Sequence, residues 1–179
     1  MRISYRYILA FGSNLGAREL NCQQGEAKLK VLSSAVLIRK SKKLYTEPLR
    51  SKKHNTKDHQ KYLNYIIEIK SPKSPWQLYQ NIFHIENLIG HNRTRPWAPR
   101  HLDIDILFAC LDTKEDFVLC PPLKYQETSL KIPHHGVWQR DFLCSLLKDD
   151  FNLGPKDLRS HYFDDNVFAQ AQQNYQYTS

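Results

Sequence analysis

The run Arg100-His101-Leu102-Asp103-Ile104-Asp105-Ile106-Leu107 holds the residues of this chain best placed to do chemistry. Side chains two apart in an extended strand share a face. Asp103 and Asp105 therefore project together, while Leu102, Ile104 and Ile106 point to a core. Neighbouring carboxylates repel, and burying them unpaired is costly. A cation between them removes the repulsion. Magnesium suits the pair: it is a hard ion that takes one or two carboxylates and completes its shell with water and phosphate oxygens. On the D-x-D pattern alone, a sheet face salt-bridged to Arg100 or another cation is the commoner explanation. The surroundings shift that balance, because Arg93, Arg95 and Arg100 lie within a few residues. Guanidinium groups bind phosphate oxygens bidentately, and arginines beside metal carboxylates are what a polyphosphate needs.

The elements that must position these groups follow from local patterning. A strand is expected over 5–11, broken by Gly12-Ser13-Asn14-Leu15-Gly16. A helix over 20–32 puts Leu20, Ala27 and Val31 on one side, with Gly25 weakening it. Residues 35–45 read as a second strand with a basic end, and 46–60, polar and aperiodic, as a long loop. A third strand over 62–70 sets Tyr62, Asn64 and Ile66 on one face and Leu63, Tyr65 and Ile67 on the other. Ser74-Pro75 starts a helix that carries Leu78, Ile82, Ile85 and Ile89 and stops at Gly90. An arginine-rich loop over 90–99 leads into a fourth strand over 101–109. A short edge strand is expected over 117–119 and a last helix over 138–147.

Strand-helix-strand-strand-helix-strand is the ferredoxin-like order. The expected class is therefore α+β, a mainly antiparallel sheet with helices packed on it in α/β/α layers. A single catalytic domain is expected over 1–150. Residues 151–179 turn polar and read as a C-terminal extension, helical or partly disordered.

Composition bounds the partners. The 179 residues are 41% hydrophobic, enough to bury one core. No apolar run reaches the ~18 residues needed to cross a bilayer. The apolar stretch 7–11 is too short for the core of a signal peptide, so a cytoplasmic protein with no membrane partner is expected. Cys22, Cys110, Cys120 and Cys144 form no CxxC pair and read as reduced thiols. The net charge of +8 favours anionic partners without saying which. Basic clusters at 39–43 and 50–53 read as solvated faces. A basic ferredoxin-like RNA-binding module stays open on charge, although no K/R-G-F/Y-G/A-F-V-x-F/Y run is found.

Pro99-Arg100-x-x-Asp103-x-Asp105-Ile106-Leu107, preceded by Trp97, resembles the signature of the 6-hydroxymethyl-7,8-dihydropterin pyrophosphokinases. Gly12-Ser13-Asn14-Leu15-Gly16, Tyr45-Thr46-Glu47-Pro48, Tyr62-Leu63-Asn64, Glu86 four before Gly90, and Pro133-His134 with Arg140 and Phe142 match further family segments in order. The resemblance implies that a pterin hydroxymethyl oxygen attacks the β-phosphorus of ATP, giving AMP and the pterin diphosphate for folate synthesis. It also implies two Mg2+ ions, ATP as co-substrate, small-molecule partners, no nucleic acid, and a monomer.

The same resemblance implies the roles. Asp103 and Asp105 would hold the metal, with Arg100 and Arg93 clamping phosphates. Tyr62 and Phe142 would sandwich the pterin, Asn64 would bond its edge, and Thr46 and Leu49 would offer main-chain bonds. Trp97 would cap the site over both substrates. Glu86, Ile106, His134 and Arg140 would contact the nucleotide. The loops 46–60 and 90–99 would close over bound substrates. His91 and Pro96 stand where the family commonly has arginine. They support the alternative of a degenerate paralogue that binds pterin or ATP with little turnover.

Overall fold

The computed structural model describes residues 4–48, 59–90, 98–112, 123–125, 128–134, 136–137 and 139–153. The order is β1 (Tyr5–Ser13), α1 (Arg18–Leu32), β2 (Val36–Lys40), β3 (Leu44–Thr46), β4 (Tyr62–Ser71), α2 (Pro75–Ile89), β5 (Asp103–Leu111), β6 (Leu123–Tyr125), β7 (Thr128–Leu130) and α3 (Asp141–Phe151). Five strands make one sheet in the order β2-β4-β1-β5, with β3 also on β4. Every pairing is antiparallel, and β6 and β7 form a separate hairpin. This is the ferredoxin-like α+β arrangement that the element order predicts.

Alternation along the strands sends apolar side chains to both faces. Tyr7, Leu9, Phe11, Leu63, Tyr65, Ile67, Ile104 and Ile106 pack with α1 and α2. Ile8, Ala10, Ile66, Leu107 and Phe108 pack with Leu143, Leu146, Leu147 and Phe151 of α3. Leu107 and Phe108 are consecutive yet join the same cluster. The β1–β5 register shifts between Ile8 and Leu9, and that bulge turns both inward. The result is helices on both sides of the sheet, the expected three layers.

Several expectations need correcting. The single strand over 35–45 is two, β2 and β3. Ser41 interrupts it: its N–H bonds the Ile66 carbonyl, and its hydroxyl accepts the Ile66 N–H. On α1 the buried stripe is Asn21, Cys22, Gly25 and Leu29. Leu20 and Val31 are 51% and 77% exposed. Gly25 costs helix propensity, but a Cβ there would lie 2.6 Å from Leu102 Cδ2, so its absence is what lets α1 seat on the sheet. The last helix begins at Asp141, because Arg140 is its extended N-cap, and it ends at Asn152 in a left-handed conformation.

The basic cluster at 39–43 is internally paired. Arg39 meets Glu68, Lys40 meets Glu26, Lys42 meets Asp149 and Lys43 meets Glu19. The three lysine pairs are partly exposed on both sides and add little stability each, whereas Glu68 is fully buried; all four leave these cations already engaged. The α2 ends agree with expectation: Ser74 and Gln77 form a capping box, and Gly90 closes the helix at φ 102°. Among the described residues Cys22, Cys110 and Cys144 are not joined in disulfides, and no helix is long and apolar enough to cross a membrane. Cys120, the expected strand over 117–119, most of the loops 46–60 and 90–99, and the extension from 154 onward lie outside the described residues.

Candidate functional site

The site lies on the α3 side of the sheet. Register builds it row by row. Gly12 on β1 is paired with Asn64 on one side and Asp103 on the other, and Ala10 is paired with Ile66 and Asp105. Residues paired across an antiparallel ladder share a face. One row therefore reads Asn64, Gly12, Asp103, and the next reads Ile66, Ala10, Asp105. The second row descends into the α3 core, and the first stays polar. Tyr62, two residues before Asn64, extends the same face and pairs with Thr46 on β3.

Gly12 is the floor of this surface. A Cβ there would stand 3.3 Å from Asn64 Oδ1 and 3.9 Å from both Asp103 Cβ and Tyr62 Cδ1. The missing side chain leaves a flat, open strip between the pterin candidates and the first aspartate. Asn64 is buried, and its amide nitrogen donates to Thr46 Oγ1 at 2.8 Å, which orients the side chain.

Around the aspartates sit three cationic or ionisable groups. Arg100 Nη1 donates to Asp103 Oδ1. Burial opposes the Arg100 charge, but the adjoining Asp103 carboxylate outweighs it and holds the guanidinium above its usual range. Arg100 reaches back to Asp103 because β5 begins only at Asp103. The alternation that would turn Arg100 away has not yet started.

His134 Nε2 and Arg140 Nη1 each approach Asp105 at 3.7 Å, on its two different oxygens. The His134 main-chain N–H is bonded to the Leu107 carbonyl of β5. Its Nδ1 accepts the Gly136 N–H at 3.3 Å, which places the ring proton of the neutral form on Nε2, facing Asp105. Gly136 is small for a reason: a Cβ would lie 3.3 Å from His134 Cε1 and 3.5 Å from Arg140 Nε. Burial pushes the Tyr62 hydroxyl pKa up, with Asp103 also raising it and Arg100 and Arg140 lowering it. Tyr62 thus shares one electrostatic neighbourhood with the charged cluster.

The remaining candidates divide. Phe142 occupies the first turn of α3, half-buried against the α3-side core. Glu86 is 1% exposed, and its Oε1 accepts the Ile104 N–H at 2.8 Å, between the two aspartates. The Ile106 side chain is buried on the opposite face, among α1 and α2. Leu49, Arg93 and Trp97 lie outside the described residues. Sequence reasoning passed over Gly12 and Gly136, since glycines at a strand end and in a turn look like ordinary turn chemistry. Their closeness to Asn64 and Tyr62, and to His134 and Arg140, depends on tertiary approach, and the sequence carries no local signal of it.

Asp103 and Asp105 fit a hard divalent cation. They are same-face carboxylates, each partly accessible, with oxygen donors only. No group of three or more His, Cys, Asp or Glu that could hold a metal occurs among the described residues. Such an ion would thus need substrate or water oxygens to complete its shell.

A family model described as 7,8-dihydro-6-hydroxymethylpterin-pyrophosphokinase (HPPK) matches residues 8–150. The 2-amino-4-hydroxy-6-hydroxymethyldihydropteridine pyrophosphokinase of Bacillus subtilis is 31% identical, covering 79% of this chain and 75% of that protein. The protein of the same name from Haemophilus influenzae is 28% identical, covering 75% and 74%. The folate synthesis bifunctional protein of Chlamydia caviae is 33% identical over 78% of this chain, which spans only 29% of that longer protein. A Plasmodium falciparum HPPK-DHPS crystal structure with pteroate shares the fold. Its TM-score is 0.57 at 14% identity, over 83% of this chain and 38% of that one.

Proposed function

The chain belongs to the 7,8-dihydro-6-hydroxymethylpterin-pyrophosphokinase family, and we propose that the face carrying Tyr62, Asn64, Gly12, Asp103 and Asp105 is its catalytic centre. The reaction is pyrophosphoryl transfer from ATP to 6-hydroxymethyl-7,8-dihydropterin, giving AMP and the pterin diphosphate in folate synthesis. The observation that carries the site assignment is the row Asn64, Gly12, Asp103. It sets a flat floor, a polar edge and a carboxylate side by side on three neighbouring strands.

Each residue then has a task. The pterin ring lies on the Gly12 floor against Tyr62, with Phe142 of α3 on its other side; such stacking adds ~1 kcal/mol beyond burial. The amide of Asn64 reads the ring edge, and Thr46 holds that amide in place. With the ring so placed, its hydroxymethyl group points toward Asp103. Asp103 and Asp105 hold Mg2+, two ions in all, which when bound would offset the polyphosphate charge and lower the cost of in-line displacement.

Arg100 turns from Asp103 to a phosphate, and His134 and Arg140 turn from Asp105 to the nucleotide. Arg93 adds a second clamp, Trp97 a cap and Leu49 a main-chain bond. Ile106 contributes through its main chain, since its side chain is in the core. Glu86 acts on the nucleotide site through β5 and not by touching ATP. The chain works as a monomeric cytoplasmic enzyme, with residues 1–150 as the catalytic domain and 151–179 as an extension.

The test is incubation with Mg2+, ATP and 6-hydroxymethyl-7,8-dihydropterin. AMP in step with pterin diphosphate is expected. ADP would mean single phosphoryl transfer. No nucleotide product at all would favour the binding-only paralogue and leave Arg100–Asp103 as a sheet-face salt bridge.

A further inference from the structure

We propose that Asn14 is the positioning residue for Arg100, a main-chain clamp that touches neither substrate; the proposal rests on the phosphate role given to Arg100 above. Arg100 precedes β5, so no sheet ladder holds its main chain. Asn14 supplies the substitute. Its N–H donates to the Arg100 carbonyl at 3.0 Å, and its Oδ1 accepts the Arg100 N–H at 2.7 Å. Next to it, Ser13 Oγ donates to the His101 carbonyl at 2.6 Å. The His101 ring lies against Gly16 and Gly90, where an added Cβ would come within 3.4 Å and 3.2 Å of it. The 100–101 segment is thereby held from the β1 end while the Arg100 guanidinium reaches toward Asp103.

The Asn14 side chain serves the Arg100 N–H at the expense of its own amide nitrogen. Asn14 is 1% exposed, and its Nδ2 is buried with no hydrogen-bond partner among the described residues. The amide cannot be turned to relieve this, because its nitrogen would then face the Arg100 N–H, donor to donor. A buried unpaired donor is a net loss to the fold, and an apolar residue of similar size would avoid it. Such a residue would leave the Arg100 N–H without its acceptor. The asparagine makes sense as the part that places Arg100, and departures from best packing of this kind gather at functional sites.

A double-mutant cycle on kcat tests this, using Asn14→Ala, Arg100→Ala and the pair in the full chain, with pterin affinity followed by fluorescence. Asn14→Ala is expected to lower kcat about tenfold with pterin affinity within about twofold, because only the arginine is misplaced. In the Arg100→Ala background the same change should cost nothing further. If Asn14→Ala does not fold, Asn14→Asp, which keeps an oxygen opposite the Arg100 N–H, goes into the cycle. It should either retain turnover or lose it only while Arg100 is present. Multiplying losses in the double variant would overturn the clamp while leaving the proposed site intact. A kcat unmoved by Arg100→Ala would instead remove the phosphate role on which the clamp depends.

Discussion

Replacing Glu86 with alanine should loosen the strand that carries both aspartates. Glu86 sits in the last turn of α2, where a carboxylate opposes the helix dipole, so it is not there for the helix. Its Oε1 instead meets the Ile104 N–H at 2.8 Å, at the edge of the sheet where β5 is the terminal strand. Alanine would strand a buried donor, at a cost of about 1–3 kcal/mol, and the vacated volume would add to it. For a chain of 179 residues, ~2 kcal/mol corresponds to a Tm lowered by ~4–8 °C. Because Asp103 and Asp105 flank Ile104, kcat should fall together with Tm. Glu86→Gln keeps an acceptor and should lose less of both. Thermal unfolding followed by steady-state kinetics on each variant is the assay. A raised ATP KM with unchanged Tm and kcat would refute the strand-anchoring argument and make Glu86 a direct nucleotide contact.

Two further outcomes follow from local geometry. Gly12→Ala should raise the pterin KM about tenfold with ATP KM little changed, because the new methyl stands 3.3 Å from Asn64 Oδ1 on the ring's floor; equal effects on both substrates would argue against that floor. Burial pushes the Cys22 thiol up to about 11. As pH rises from ~8.5 toward that value, the unfolded chain releases a proton that the folded chain keeps, so stability falls by up to ~1.4 kcal/mol per pH unit. Cys22→Ala should flatten this alkaline decline in denaturant titrations, leaving the part due to Tyr65, whose hydroxyl burial also raises; an unchanged slope would contradict the assignment.

Much of the site was legible because strands alternate strictly. Tyr62 with Asn64, and Asp103 with Asp105, share a face by spacing alone, and Leu102, Ile104 and Ile106 had to be core. Capping made α2 equally plain. Other features depend on tertiary approach and leave no local trace. Gly25 looks like a helix weakness until Leu102 is found against it. The stripe of α1 was misread because Asn21 and Cys22, not Leu20, turn inward. The resemblance gives Glu86 a nucleotide role, and only the approach of α2 to β5 reveals the Ile104 N–H that it also serves. Asn14 appeared as turn chemistry, since its bond to Arg100 spans 86 positions of sequence.

The most direct measurement is turnover of Asp103→Asn and Asp105→Asn at saturating Mg2+, with pterin affinity determined on the same preparations. Each variant keeps its side-chain volume and loses one negative charge. A loss of roughly a thousandfold in kcat, or ~4 kcal/mol of transition-state stabilisation, is expected, with pterin affinity within about threefold. Turnover within about tenfold of the parent in both variants would show that the Asp103–Asp105 face is not where pyrophosphate is transferred.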